Sequence, residues 1–246
     1  GKGHTMAHKQ TAGRDNLGEL APTFAALNDD VLFGQVWSRE GQMPARQRSL
    51  ITCASLMSQG LFPQLEAHLR IAKANGVAKQ ELVETFTQLA FYAGWPKAWS
   101  AFGLLKDIYA DVPDDTPDAG LFPLGSPADG PNFTGHAWLH MLTGPDNPLS
   151  AGNVTFAAGC YNRWHTHPAG QLLLVTAGHG WEQQQGKPAR ELHAGDVVEC
   201  PAGVQHWHGA ARDSTLTHVA VTPVSAGQAA VEWLEFPSRS DYEQLD

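Results

Sequence analysis

Histidine side chains are concentrated in one half of the sequence. Of the 12 histidines in the 246 residues, nine lie between positions 136 and 218. Two pairs are separated by a single residue, His165 with His167 and His206 with His208. Residues at i and i+2 of a β-strand point to the same face, so each pair would present two imidazoles to one surface. Because imidazole is a common metal ligand and acid–base group, we predict that the functional site lies in the second half of the sequence.

An amide side chain stands close to the first histidine pair. Gln171 follows the turn-like sequence Pro168-Ala169-Gly170, which comes directly after His167. Three imidazoles and an amide oxygen that converge inside a barrel would form an open site for a divalent metal.

The spacing of these residues resembles the two motifs of the cupin family. The first motif is matched by Gly159-x5-His165-x-His167-x3-Gln171-x6-Gly178. The second is matched by Gly195-x5-Pro201-x-Gly203-x2-His206. The resemblance covers about residues 132–237 and implies a double-stranded β-helix barrel with a metal in its interior. The ligands that it implies are His165, His167, Gln171 and His206.

A narrower resemblance is carried by WHTHPxGQxLxVTxGxGW at 164–181 and HWHGA at 206–210. These segments are similar to small cupins that include manganese-dependent hydroxynitrile lyases and relatives that carry out metal-dependent oxidation. In that group, a histidine twelve residues beyond the last ligand and a polar residue three before the first are active-site groups. Here those positions hold His218 and Asn162. The resemblance implies one divalent transition metal per chain, with manganese favoured and iron, nickel or zinc as alternatives.

Two positions depart from the usual cupin pattern. Gln171 stands where many cupins have glutamate, and Ala210 stands where many have asparagine. An amide in place of a carboxylate leaves the metal with a larger net positive charge. We therefore expect a stronger Lewis acid.

The first half carries a second family resemblance, to the carboxymuconolactone decarboxylases. The matching segments are FGQVWSR at 33–39, RSL at 48–50, LEAHLR at 65–70, NGV at 75–77 and YAGWP at 92–96. The resemblance covers about residues 20–109. It implies an all-α subunit of the alkylhydroperoxidase D type, which usually assembles as a trimer or hexamer.

His68 is the candidate catalytic residue of this half. It lies with Leu65 and Leu69 on the predicted inward stripe of its helix. Peroxidases of the superfamily carry a thiol pair before this histidine, but here those positions hold Leu61 and Gln64, so the decarboxylase branch fits better. Three arginines could bind a polycarboxylate or form structural ion pairs, namely Arg39, Arg46 and Arg48.

The order of elements predicts a two-domain α + β protein. Helical periodicity runs through 44–58, 63–75, 79–93 and 96–110, with one or two further helices in 20–37. Short runs rich in β-branched residues follow at 172–176, 196–199 and 217–222. Between them, residues 111–131 hold five prolines, three glycines and five aspartates, which is typical of a linker. Taken with the two family resemblances, this order implies an alkylhydroperoxidase D-like helical domain at 16–110, a linker at 111–131 and a cupin barrel at 132–237.

Composition and charge exclude several classes of protein. Apolar residues make up 42% and charged residues 17%, a globular composition. No run approaches the roughly 18–20 apolar residues of a membrane span, and residues 1–10 hold no apolar signal segment. The net charge of −9 is the sum of +1 up to residue 112 and −10 from residue 113 onward, and the acidic second half argues against nucleic acid as a partner. Three widely spaced cysteines fit a reducing cytoplasm, where we expect the protein to reside.

Four functions remain open at this point. The leading hypothesis is a metal-dependent lyase that acts on a small oxygenated molecule, with cyanohydrin cleavage first and His218 moving a proton. The others are a metal-dependent oxygenase at the same site, a lactone decarboxylase in the helical half with the cupin as a regulatory module, and a non-catalytic small-molecule sensor. We expect a small-molecule substrate, no membrane partner and a homo-oligomer assembled through the helical domain.

Overall fold

The computed structural model describes residues 10–113, 116–117, 120–128, 130–225 and 227–245. The chain divides into two compact units, one up to residue 114 and one from residue 115 onward. The first unit is helical and the second is built on an antiparallel sheet, which confirms the predicted two-domain α + β class. Residues 114, 115, 118, 119 and 129 of the predicted linker lie outside the described residues, as do residues 1–9, which were predicted to hold no signal segment.

The helical unit contains six α-helices and one π-helix among its described residues. They are α1 (Ala12–Leu17), α2 (Pro22–Ala26), the π-helix (Leu27–Trp37), α3 (Ala45–Gln59), α4 (Phe62–Ala74), α5 (Lys79–Ala93) and α6 (Trp95–Ile108). The four helices predicted from periodicity lie within two residues of their observed ends. Gly60 ends α3 with a left-handed φ of 72°, a conformation that glycine adopts without strain.

The core of the helical unit is formed by one face of each long helix. Leu65, Leu69 and Ala72 of α4 are fully buried and recur at spacings of three and four residues. Leu82 and Phe86 of α5 follow the same spacing and join the same core. This periodicity determines which face of α4 is buried, and it places His68 at the edge of that face.

The second unit contains ten strands and one short helix among its described residues. These are β1 (Ser126–Pro127), β2 (Ala137–Met141), β3 (Leu149–Phe156), β4 (His165–Thr166), β5 (Gln171–Gln184), β6 (Arg190–His193), β7 (Val197–Cys200), β8 (His206–Ala210), β9 (Leu216–Pro223), β10 (Glu232–Trp233) and α7 (Arg239–Glu243). All pairs are antiparallel, in the order β1-β2-β3-β9-β5-β8-β4-β10, with β6 and β7 also pairing with β5.

The long strand β5 bends the sheet on itself. Its first half pairs with β7 and β9, and its second half pairs with β6 and β8. The register with β9 shifts between Val175 and Ala177, which marks a bulge where the strand bends. Gly178 follows at a φ of 79°, where a Cβ atom would stand only 1.9 Å from the Thr215 carbonyl oxygen. The close approach of two strands therefore requires this motif glycine.

Among the described residues, no helix combines the length and the apolar character needed to cross a membrane.

Candidate metal centre

Three buried histidines meet inside the second unit. His165 in β4 pairs directly with His206 in β8, and His167 follows immediately after β4. One ring nitrogen from each of the three lies within 4.8 Å of the other two. The centroids of the His165 and His206 rings are 4.2 Å apart. The two motifs thus converge because adjacent strands carry them, as the resemblance to the cupin family implies.

Each of these imidazoles is held at its Nδ1 atom by a second group. His165 Nδ1 lies 2.8 Å from the Arg163 carbonyl oxygen, and His167 Nδ1 lies 2.7 Å from that of Ala230. His206 Nδ1 lies 3.2 Å from the sulfur of Cys200. A carbonyl oxygen only accepts, so the first two rings carry their proton on Nδ1 and keep a lone pair on Nε2.

The opposite ring nitrogens point into the buried site. The Nε2 atoms of His167 and His206 are buried without a hydrogen-bond partner. Histidine ligands in metalloproteins are commonly oriented in this way, with one nitrogen on a carbonyl or similar group and the other on the metal. The arrangement therefore fits a metal, since an ion would satisfy lone pairs that are otherwise costly to bury.

Gln171, at the start of β5, presents its oxygen in the same manner. Its Nε2 atom donates to Thr222 Oγ1 at 3.1 Å, and its Oε1 atom is buried without a partner. Three imidazole nitrogens and one amide oxygen form a neutral donor set that suits a divalent transition metal. Metal binding by these four predicted residues stays a prediction, which the geometry supports.

Burial keeps the candidate ligands neutral. It lowers the pKa of His165 to about 3 and that of His206 to about 2. The pKa of His167 is also lowered by burial, although its contacts with the Ala230 carbonyl and Gln171 oppose the change. A protonated imidazole cannot bind a metal, so these lowered pKa values favour binding at neutral pH.

A hydrogen-bonded chain of three side chains adjoins the cluster. The backbone N–H of His208 donates to Asn162 Oδ1 at 2.9 Å, and Asn162 Nδ2 faces His208 Nε2 at 3.2 Å. An amide nitrogen only donates, so His208 Nε2 accepts and its proton resides on Nδ1. That atom lies 3.1 Å from His218 Nε2. His218 must then accept at Nε2 and carry its own proton on Nδ1.

The Nδ1 atom of His218 is buried and has no hydrogen-bond partner. Burial lowers the pKa of this residue to about 4, so the ring is neutral at physiological pH. The ring of Phe156 packs against both imidazoles of the chain, with centroids 5.6 Å from His208 and 5.6 Å from His218. The structure therefore brings together both predicted catalytic residues of the barrel, Asn162 and His218, through His208.

Three residues next to the histidine cluster have no role predicted from the sequence, namely His208, Cys200 and Glu182. His208 had a usable signal, because it lies two residues after His206 and thus on the same face. Cys200 contacts the far side of His206, and Glu182 lies with both in a buried group whose potential ligand atoms are within 4.8 Å. Burial raises the pKa of the Glu182 carboxyl. These last two contacts depend on which strands pair, which the motifs do not encode.

His68, the candidate of the helical unit, is half-buried on α4. Its Nδ1 atom is buried without a hydrogen-bond partner, and its ring lies 6.1 Å from the ring of Trp37. Burial lowers its pKa. Trp37 also lines a cleft of about 520 Å³ together with Phe33 and Asp29.

Two of the candidate substrate arginines make structural contacts. Arg46 forms an ion pair with Glu81, and Arg48 donates to the carbonyl oxygens of Met43 and Arg39. The structure thus favours a structural role for Arg46 and Arg48. Elsewhere in this unit, the side chains of residues 66 and 70 form the i, i+4 ion pair expected from their spacing.

Comparison with known proteins identifies both units. Residues 22–107 match the carboxymuconolactone decarboxylase family, and residues 152–222 match the cupin domain family. The (R)-mandelonitrile lyase of Granulicella tundricola is 44% identical over 125 residues, which cover 48% of this chain and 95% of the lyase. The 4-carboxymuconolactone decarboxylase of Acinetobacter baylyi is 35% identical over 98 residues, covering 40% of this chain and 72% of that enzyme.

Among solved structures, a cupin-like protein from Thermotoga maritima is 40% identical. The match covers 50% of this chain and 94% of that protein, with a TM-score of 0.47. The relatives with named activities are two lyases and two decarboxylases, and this chain is an enzyme, as its sequence predicts. It belongs to both the carboxymuconolactone decarboxylase and the cupin families, with one domain of each in a single chain.

Proposed function

We propose that the chain is a metal-dependent lyase that cleaves a cyanohydrin into a carbonyl compound and hydrogen cyanide inside the cupin barrel. One observation carries this proposal. Three potential metal-ligand atoms, His167 Nε2, Gln171 Oε1 and His206 Nε2, are buried without a hydrogen-bond partner. They lie beside the hydrogen-bonded side chains of Asn162, His208 and His218, the last of which is assigned a proton on Nδ1. The relationship to an (R)-mandelonitrile lyase supports the choice of substrate class.

His165, His167, Gln171 and His206 would hold the metal, for which manganese is the first choice and iron, nickel and zinc are alternatives. When bound, a divalent ion supplies a Lewis acid that polarises the substrate oxygen. The residues of the chain supply everything else: the position of the substrate, the exclusion of water and the transfer of the proton.

Asn162 and His208 prepare His218 for proton transfer. The amide of Asn162 donates to His208 Nε2 and so fixes the proton of His208 on Nδ1. His208 Nδ1 in turn donates a hydrogen bond to His218 Nε2. His218 is then left with one transferable proton, on Nδ1. Phe156 packs against the two rings, and His218 Nδ1 is buried, so water would not compete for that proton.

The proposed cleavage requires no oxidant or reductant. The bond between the carbinol carbon and the cyanide carbon breaks, and its electron pair leaves with cyanide. His218 Nδ1 gives its proton to the departing cyanide and thereby gains a lone pair. The O–H bond of the substrate then breaks, its electron pair forms the second carbonyl bond, and its proton returns to that lone pair on Nδ1. The products are a carbonyl compound and hydrogen cyanide, and His218 ends the cycle as it began.

The test is release of hydrogen cyanide from mandelonitrile under anaerobic conditions, measured before and after chelation of the metal. We expect turnover without oxygen and its loss on chelation, with recovery when manganese is restored. His140→Ala serves as a matched control, because His140 lies on β2 outside the cluster. Turnover that requires oxygen would favour the oxygenase. Tight binding of substrate without turnover would favour the sensor, and either result would overturn the proposal.

A second candidate function, lactone decarboxylation, belongs to the helical unit. It is favoured by the unpartnered Nδ1 atom of His68 beside Trp37 and by the relationship to a 4-carboxymuconolactone decarboxylase. The test is decarboxylation of 4-carboxymuconolactone by the metal-free protein. Activity that survives chelation and disappears in His68→Ala would establish it, whereas no turnover by the wild type would remove it.

We also propose that the helical unit assembles with further copies of the same chain. Several of its aromatic side chains face outward, with Phe91 79%, Tyr92 83% and Trp99 73% exposed. Exposed apolar groups at this density are typical of an interface between subunits. Solution scattering of the full chain should give the mass of an oligomer, and a monomer would refute this. All three cysteines are buried and none of them forms a disulfide, which supports the cytoplasm as the compartment.

A further inference from the structure

The hairpin of β5 and β6 carries a second group of ligand-type side chains, which the proposed lyase does not use. His179 in β5 pairs directly with His193 in β6. Glu191 precedes His193 by two residues and therefore lies on the same face of the hairpin. The two strands thus bring two imidazoles and one carboxylate to a single surface.

The potential ligand atoms of this group lie within 4.8 Å of one another, close enough for a single ion to contact all three after a small shift of the exposed Glu191 carboxylate. Glu191 Oε1 lies 2.7 Å from His179 Nε2 and 3.5 Å from His193 Nε2. A tetrahedral ion with bonds of about 2.0–2.1 Å separates its ligand atoms by roughly 3.3 Å. The two imidazole rings are nearly parallel, at 16°, with centroids 4.9 Å apart, so both edges meet the same carboxylate.

One nitrogen of the group lacks a hydrogen-bond partner. His179 Nε2 is withdrawn from water and, despite the nearby carboxylate oxygen, makes no hydrogen bond. A ring nitrogen in this state is costly unless another atom satisfies it. The side chains remain accessible as a whole, at 30% for His179, 49% for Glu191 and 58% for His193. An ion could therefore reach the group without any opening of the fold.

We propose that His179, Glu191 and His193 form a second site for a divalent transition metal, separate from the barrel interior. Two imidazole nitrogens and one carboxylate oxygen are a ligand set that zinc favours, with a fourth position left for water. A bound zinc ion would join β5 to β6 across the hairpin and stabilise it. The interior ligands are four other residues, so the two sites can be filled independently.

The test counts zinc ions bound to the full chain by equilibrium dialysis, after all metal has been removed with a chelator. We expect two ions per chain in the wild type and one in His193→Ala. The reciprocal variant, His206→Ala, should lose the interior ion and keep the hairpin ion. His140→Ala is the matched control and should still bind two. Ring signals of His179 and His193 should shift in NMR spectra when the second ion is added.

Two results would overturn this proposal. One is a wild type that binds a single ion, lost in His206→Ala. The other is a His193→Ala variant that still binds two. Glu191→Gln provides a second variant that keeps the size of the side chain, and circular dichroism verifies that each variant is folded. Because lyase turnover is not measured, failure of the proposed function would leave this result intact.

Discussion

The barrel and the helical unit each contain histidines in protected positions, but they hold them in different ways. In the barrel, His165, His167 and His206 each have one ring nitrogen fixed by a second group, which leaves the other nitrogen directed into the site. In the helical unit, the imidazole of His68 stacks near Trp37, and its Nδ1 atom has no partner to fix it.

This difference concerns preorganisation. A ring held at one nitrogen has a defined tautomer and orientation before any ligand arrives, so little conformational freedom is lost on binding. The barrel repeats this device at three rings and extends it through Asn162 and His208 to His218. We therefore assign the main chemistry to the barrel, and the following predictions test that assignment.

The largest effect is expected from loss of a metal ligand. His165→Ala removes one of three imidazoles and leaves the remaining donors short of a stable set. Metal retained after dialysis against a chelator should fall to background, and cyanohydrin turnover should fall with it. Elemental analysis measures the first and cyanide release the second. Full metal content in this variant would show that His165 is not a ligand.

His218→Ala should leave the metal in place and remove most of the turnover. A positioned acid–base group is worth about 10²–10⁴-fold in rate, so kcat should fall by that factor. Metal content must equal that of the wild type for the comparison to hold. Turnover unchanged in this variant would mean that His218 is a wall residue and that the proton transfer occurs elsewhere.

Asn162→Ala tests positioning rather than chemistry. Without the amide donor, the proton of His208 is no longer confined to Nδ1, and His218 loses its single tautomer. Partners that orient such residues are typically worth about 10–100-fold. We expect a decrease in kcat in that range, with normal metal content and a mixture of tautomers in the ¹⁵N spectrum of the His218 ring. A slower variant whose ring spectrum matches the wild type would instead indicate simple loss of packing.

Much of the fold follows from sequence periodicity. The four long helices and the strands β5, β7 and β9 were predictable because their apolar residues recur at the spacing of the element that buries them. The π-helix at Leu27–Trp37 was not, since its wider turn has no equally clear periodic signal. Its residues were expected only to be helical.

The site was predictable only in part. The resemblance to the two cupin motifs placed His165, His167 and His206 together, but it did not give their orientation. His165 and His167 are oriented by backbone carbonyls, which any residue type can supply. Ala230, which holds His167, lies 63 residues away in the chain. The contact follows from the pairing of strands, and no motif records it. Likewise, the tautomer of His218 follows from an amide orientation that requires the three-dimensional structure.

The smallest effect is expected at His68, where the comparison between the two units is sharpest. His68→Ala removes a half-buried ring beside Trp37 and also removes a buried nitrogen that has no partner. Loss of the ring contact should cost about 0.5–1.5 kcal/mol in the free energy of unfolding, partly offset by loss of the unpartnered polar atom. Cyanohydrin turnover and metal content should match the wild type, because the barrel residues supply the proposed chemistry. Denaturant unfolding and cyanide release measure the two quantities, with Glu66→Ala as the control on the exposed side of the same helix. If His68→Ala abolished cyanohydrin cleavage while the barrel kept its metal, the preorganised cluster would not be sufficient, and the assignment of the chemistry to the barrel would fail.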